Sequence, residues 1–177
     1  LFNDCEDEVN RISGFSIREL CVNGPDSSLR KTEITQPCLF VVNALYFESE
    51  RQEGREPKFV MGHSLGEYNA LLAAGVFDFL TGLRLVTERG RLMSLAKNGT
   101  MAAVIGLDVE RIREMLLLPA HEEVDLANLN TPNQTIISGP AAAIQNACKA
   151  LERSGASSVI PLQVGGGAAV SRLHPAH

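Results

Sequence analysis

Five residues, Gly62-His63-Ser64-Leu65-Gly66, constrain the fold of this chain more than any others. Phe59, Val60 and Met61 before them read as the end of a buried strand, and Glu67 to Ala74 after them as the start of a helix. A serine between two glycines at a sharp strand-to-helix turn sits in strained backbone, which is tolerated only where small neighbours let the two elements approach. Gly62 and Gly66 are expected to supply that room. At the head of a helix the backbone N–H groups have no internal partner, so they face any oxyanion formed when Ser64 attacks a carbonyl, with the Leu65 N–H as first donor. The plainer alternative is a turn with Ser64 as an ordinary N-cap.

At 177 residues and 45% hydrophobic, the chain has material for one large domain or two small ones with a real core. Its net charge of -5, without a long basic run, argues against nucleic acid or an anionic membrane surface as main partner. No apolar stretch approaches the roughly 20 residues that span a bilayer, and the acidic first residues, Leu-Phe-Asn-Asp-Cys-Glu-Asp-Glu, do not read as a signal. A cytoplasmic protein is expected. Cys5, Cys21, Cys38 and Cys148 lie far apart without C-x-x-C spacing, so neither a disulfide framework nor a zinc site is suggested. The chain begins at Leu1 inside a helical pattern, and a preceding element is expected.

Apolar spacing is helical over Asp4–Ile12 and Ser16–Cys21, and Asn23 to Ser27 reads as a loop. A stronger helix follows Thr32–Gln36, with Thr35 as N-cap and Pro37 in the first turn, and its far end, Glu48 to Glu56, is solvated. After the serine turn a helix covers Leu80–Lys97. The layer predicted for residues 1–99 is an α/β, hydrolase-like catalytic subdomain on a partial parallel sheet. From Thr100 the pattern becomes βαββαβ: strands at Met101–Gly106, Val124–Leu129, Gln134–Ser138 and Ser158–Leu162, helices at Val109–Leu118 and Ala141–Ser154. That order, with a turn at Asn130-Thr131-Pro132-Asn133, predicts a ferredoxin-like small subdomain over 100–163. Residues 164–177, with the run Gly165-Gly166-Gly167-Ala168-Ala169, form an atypical tail.

Besides Ser64, Arg89 stands out, within Thr87-Glu88-Arg89-Gly90-Arg91-Leu92-Met93. A guanidinium is permanently charged and grips a carboxylate through two parallel hydrogen bonds, so it suits a substrate with a free carboxylate. The competing reading is a surface arginine on a polar face. Gly90 beside it points to close packing.

Five stretches together resemble a known family: Thr35-Gln36-Pro37-Cys38-Leu39, Gly62-His63-Ser64-Leu65-Gly66-Glu67-Tyr68, Glu88-Arg89-Gly90-Arg91-Leu92-Met93, Met101-Ala102-Ala103-Val104-Ile105-Gly106, and Ala127 to Gln134 with Ile137-Ser138-Gly139. They look like the successive motifs of the malonyl-CoA:acyl-carrier-protein transacylases, and in detail like those serving polyketide synthases in trans. The resemblance implies ping-pong transfer of malonyl from malonyl-CoA, through an acyl-Ser64, to the phosphopantetheine thiol of an acyl carrier protein. It implies Ser64 as nucleophile, the Leu65 N–H as an oxyanion donor, and Arg89, His63 and Gln36 at the substrate, with Gln36 buttressing the active-site loops. Asn130 and Gln134 look structural, and Leu65 after the nucleophile resembles malonyl-selective members. No metal or organic cofactor is implied; malonyl-CoA is substrate.

The sequence departs from that family at both ends. The Gly-Gln-Gly-Ser-Gln type loop whose glutamine N–H completes the family's oxyanion hole is absent, and the loss of one donor typically costs on the order of 100-fold to 1000-fold in rate. After Ile160-Pro161-Leu162-Gln163-Val164 the family continues into a Phe-His pair carrying the general base. Here no histidine falls in that register, and His174 and His177 are not substitutes. A reading-frame slip near Gly165 is the hypothesis that would account for this, since Val170-Ser171-Arg172 can be encoded by GTT-TCA-CGC, which in the shifted frame reads Phe-His-Ala. Two other readings stay open: a serine hydrolase acting on carrier-protein thioesters, and an inactive truncated or frame-shifted fragment.

Overall fold

A computed structural model describes residues 2–95 and 99–162. The chain forms two compact units, Leu1–Ser94 and Leu95–His177. The described residues give a mixed α/β protein with one small antiparallel sheet, which lies in the second unit.

The described part of the first unit is helical. Helices α1 (Phe2–Ser13), α2 (Ile17–Asn23), α3 (Asp26–Leu29), α4 (Thr32–Gln52) and α5 (Gly66–Ala73) precede α6 (Phe79–Leu95). Ser16 starts α2 by accepting from the Glu19 N–H, and Asp78 does the same for α6, accepting from the Thr81 N–H at 2.7 Å. The core is Val9, Ile17, Cys38, Phe40, Val41, Ala44, Phe79, Leu83 and Val86. On α4 it is built by Phe40, Val41 and Ala44, and on α6 by Phe79, Leu83 and Val86, spacings that return to one helical face. Gly82 lets these helices close: a Cβ there would stand 2.6 Å from Phe40 Cζ and 2.7 Å from Phe77 Cε2.

Three expectations are corrected here. Phe59–Met61 form no strand, and Phe59 and Met61 are 88% and 92% exposed. A strand exists only where a neighbour takes its N–H and C=O groups, and no strand occurs among the described residues of the first unit, so its parallel sheet is absent. Second, α4 begins at Thr32, with Lys31 as its cap residue, which makes Pro37 an interior proline. Thr35 is not the N-cap: its Oγ1 donates to the Lys31 carbonyl at 2.9 Å and to the Leu29 carbonyl. Lys31 accepts from the N–H groups of Ile34 and Thr35, at 2.9 and 2.7 Å, and so opens the helix one turn earlier. Third, the loop expected over 23–27 gives way to the short α3 at Asp26.

In the second unit β1 (Gly99–Ile105), α7 (Val109–Leu116), β2 (Asp125–Thr131), β3 (Gln134–Pro140), α8 (Ala141–Arg153) and β4 (Ser158–Leu162) follow in order, with a 3-10 turn at Pro119–His121. The sheet order is β2-β3-β1-β4, and every neighbouring pair is antiparallel. Asp108 caps α7 by accepting from the Arg111 N–H at 3.0 Å. Ala102, Val104 and Ile137 meet Ile112 and Met115 of α7 and Ile144, Ala147 and Leu151 of α8 in one apolar cluster. These helical spacings give one buried stripe per helix, facing one side of the strands. Pro161, which lacks an N–H, sits on edge strand β4 opposite Ala102. Across the β2–β3 hairpin, Asn130 Nδ2 donates to Gln134 Oε1 at 3.0 Å. The atypical tail, including His174 and His177, lies outside the described residues.

Candidate active site

Ser64 has φ 54°, the one positive φ at a non-glycine among the described residues. For an L-residue the left-handed region costs roughly 1–2 kcal/mol, a strain that persists only where the surroundings impose it. They do so through Gly62. A Cβ there would lie 1.9 Å from the carbonyl carbon and oxygen of Gly66 and 2.3 Å from the Glu67 nitrogen, so the chain doubles back at backbone contact. Gly66 plays a different part, since a Cβ on it meets nothing within 4 Å. The closeness belongs to its backbone, and only Gly62 is obliged to lack a side chain.

The turn is closed by short-range bonds from Gly66 N–H to the His63 carbonyl (2.9 Å), Glu67 N–H to the Ser64 carbonyl (3.3 Å) and Tyr68 N–H to the Leu65 carbonyl (3.0 Å). The Leu65 N–H has no acceptor among the described residues. Ser64 is not the N-cap of α5: Leu65 holds that position, without a side-chain bond. The hydroxyl is thereby left for another partner.

That partner is Arg89, whose Nη2 donates to Ser64 Oγ at 3.0 Å. Arg89 is half-buried, and three contacts hold its guanidinium. Nη1 donates to Gln36 Oε1, and the guanidinium carbon lies 5.8 Å from the centroid of the Tyr68 ring, within cation–π range. Gln36, 7% exposed, turns its Nε2 to Met93 Sδ at 3.0 Å. A glutamine amide has one accepting and one donating end, so a sulfur acceptor on one side leaves the oxygen to face the cation. Gly90 brings α6 against the start of α4, a Cβ there standing 3.1 Å from Glu33 Cα and 3.5 Å from Gln36 Cβ. The arrangement can present a hydroxyl and a fixed cation to one ligand, with a free N–H at the following residue.

Residues 1–167 match the family profile described as the acyl transferase domain. The chain belongs to this family. The acyl transferase domain is similar to the polyketide biosynthesis malonyl CoA-acyl carrier protein transacylase PksC of Bacillus subtilis (strain 168), 49% identical over 93% of this chain and 58% of that protein. It is 40% identical to the malonyl CoA-acyl carrier protein transacylase of Escherichia coli (strain K12), over 89% of this chain and 52% of that one. Among solved structures, the malonyl CoA-acyl carrier protein transacylase from Burkholderia pseudomallei superposes with a TM-score of 0.82 at 44% identity, covering 94% of this chain and 57% of that one. A malonyl-transacylase in complex with its type II PKS acyl-carrier protein gives 0.85 at 36% identity, covering 93% and 55%. The chain therefore spans a little over half the length of each of these four relatives.

Within this acyl transferase domain the structure brings Ser64, Leu65, Arg89 and Gln36 together. His63 lies in the same turn, exposed, with no side-chain hydrogen bond among the described residues. Gln36 stands behind the guanidinium, and its amide is taken up by Arg89 and Met93. Tyr68 and Met93 were missed as site residues, although Met93 at i+4 from Arg89 shares its helical face. Among the described residues no cluster of His, Cys, Asp and Glu is placed to hold a metal, and no helix is long and apolar enough to cross a membrane.

Proposed function

We propose that this acyl transferase domain is the serine-bearing part of an [acyl-carrier-protein] S-malonyltransferase of polyketide or fatty acid biosynthesis. Ser64 Oγ attacks the thioester carbonyl of malonyl-CoA, an O–C bond replaces the C–S bond, and the serine proton ends on the departing coenzyme A thiolate. The phosphopantetheine thiol of an acyl carrier protein then attacks the acyl-Ser64 ester, a C–S bond replaces the C–O bond, and the thiol's proton ends on Ser64 Oγ. The Leu65 N–H donates to the oxyanion in both steps, and Arg89 holds the malonyl carboxylate. His63 flanks the pocket, and Gln36 acts through Arg89. No cofactor is needed, since the thioester is already activated.

The observation that carries this reading is the guanidinium of Arg89, 3.0 Å from Ser64 Oγ and backed by the buried Gln36. A fixed cation beside the nucleophile suits an acyl group ending in a carboxylate and gives nothing to a neutral chain, which weighs against a hydrolase of simple acyl groups. We read the second unit as a ferredoxin-like small subdomain on its βαββαβ order and 2-3-1-4 sheet. The cytoplasm is the compartment that a coenzyme A thioester substrate implies. The test is the intact mass of the chain after incubation with malonyl-CoA or acetyl-CoA. One malonyl group gained from the first, little from the second, and neither in Ser64→Ala is the expected result; equal labelling by both, or none, refutes the reading.

A further inference from the structure

Helix α4 carries the supports of both Ser64 and Arg89 on one face. Gln36, Phe40 and Asn43 stand at i, i+4 and i+7. Gln36 receives the guanidinium. Phe40 meets α6 at Gly82, two turns before Arg89 on that helix. The third support reaches the helix that follows the nucleophile: Asn69 Nδ2 donates to the mid-helix carbonyl of Phe40 at 2.9 Å, and Asn69 Oδ1 accepts from Asn43 Nδ2 at 3.3 Å. The carbonyl is a pure acceptor, so it fixes which way the Asn69 amide points, and hence which end meets Asn43.

This tie matters because, apart from the Arg89 guanidinium over the Tyr68 ring, α5 has little else to fix it. None of its residues is fully buried; Tyr68 and Leu72, with Leu65 before the helix, only lie against the edge of the core. Apolar contact of that kind is non-directional and lets a short helix slide or turn. A hydrogen bond to a single carbonyl does not, since it weakens steeply with misalignment. Asparagine is also a poorer helix former than alanine, so this position forgoes helix propensity for its contacts.

Resting on the malonyltransferase reading, we infer that Asn69, assisted by Asn43, is a positioning residue: it sets the height of α5 on α4 and so holds Ser64 Oγ opposite Arg89. The full chain with Asn69→Ala and with Asn69→Asp tests this. Alanine strengthens the helix while removing the tie; aspartate keeps an acceptor for Asn43 but sets a carboxylate against the Phe40 carbonyl. Two readouts are taken, single-turnover malonylation of Ser64 against malonyl-CoA concentration and amide hydrogen exchange of 66–73 compared with 79–95. In both variants the maximal malonylation rate falls about tenfold, as loss of an aimed hydrogen bond predicts. The half-saturating concentration stays within about twofold, and exchange rises about tenfold over 66–73 alone. Unchanged exchange over 66–73 in both variants, or a loss seen only in half-saturation, overturns the inference. If the parent chain takes up no malonyl group, the functional reading fails and the exchange comparison alone decides this one.

Discussion

The two glycines flanking the serine turn look equivalent in the sequence, yet Gly62→Ala and Gly66→Ala are expected to behave oppositely. A Cβ on Gly62 would lie 1.9 Å from two backbone atoms of Gly66, whereas real Cβ contacts stay beyond 3.0 Å, so the two segments must part by 3.0 - 1.9 = 1.1 Å. Both atoms are main chain, and no rotamer change relieves the overlap. Forced overpacking costs about 1–3 kcal/mol, and with backbone on both sides the upper end is expected. A displacement of about 1 Å at a reacting group costs on the order of 100-fold in rate, so Ser64 acylation falls by that factor even in molecules that stay folded. On Gly66, the first residue of α5, a Cβ meets nothing within 4 Å. Alanine there gains up to about 1 kcal/mol of helix propensity. Urea unfolding of the parent and both variants, with intact-mass labelling of Ser64, reads stability and chemistry separately. A Gly66→Ala variant as damaged as Gly62→Ala, or a Gly62→Ala variant like the parent, refutes the reasoning.

Other predictions follow from the same geometry. Gln36→Leu takes away the guanidinium's buried acceptor, worth about 1.5–3 kcal/mol for a charged donor, and kcat/KM for malonyl-CoA falls between roughly tenfold and a hundredfold; Met93→Leu, which removes only a weak sulfur acceptor, costs less in the same assay. Gly82→Ala drives a methyl into the Phe40 and Phe77 rings, and the free energy of unfolding drops by about 1–3 kcal/mol, since Phe40 is fully buried where α4 packs on α6. Burial, with a smaller contribution from Cys21, pushes the Cys38 thiol up to about 12 from its ordinary 9.0. Cys38 therefore resists alkylation at pH 8 while exposed Cys21 reacts. Because the folded form keeps its proton where the unfolded form loses it, stability falls between pH 9.0 and about 12, and Cys38→Ala flattens that alkaline decline. The Thr81 N–H holds the Asp78 carboxylate below its ordinary range, so the cap's stabilisation is present above the unfolded value and is lost as pH falls through the folded one. Asp78→Ala accordingly lowers Tm at neutral pH and converges on the parent in acid.

What could be read from the sequence divides along local and non-local physics. Ser64 was legible because the pattern around it encodes its own turn: Gly62 is small at the one point where main chain meets main chain, and the constraint lies within five residues. Arg89 was legible as a guanidinium suited to a carboxylate, against the competing reading of a surface arginine, but its holder's geometry was not, because the Gln36 contact spans 53 positions and depends on how α4 meets α6. The βαββαβ elements of the second unit were readable for the same reason as Ser64. Their strands are short apolar runs, their helices carry a single apolar stripe, and a turn-rich stretch, narrowed in the structure to Pro132-Asn133, joins β2 to β3. Thr35 misled because its side chain suits a cap, while backbone bonds to the Lys31 carbonyl had already opened the helix a turn before it. Phe59–Met61 is the instructive failure. Its residues favour a strand as strongly as those of β1, but β1 has β3 and β4 on either side and Phe59–Met61 has no strand beside it among the described residues. Apolar sequence supplies the wish to be covered, whereas a strand is a pairing of two segments, so its existence is a property of the neighbour as much as of itself. The serine turn does not wait on that pairing: Ser64 keeps its positive φ and its contact with Arg89 in a unit whose described residues form no sheet, held from the helical side by α4, α5 and α6.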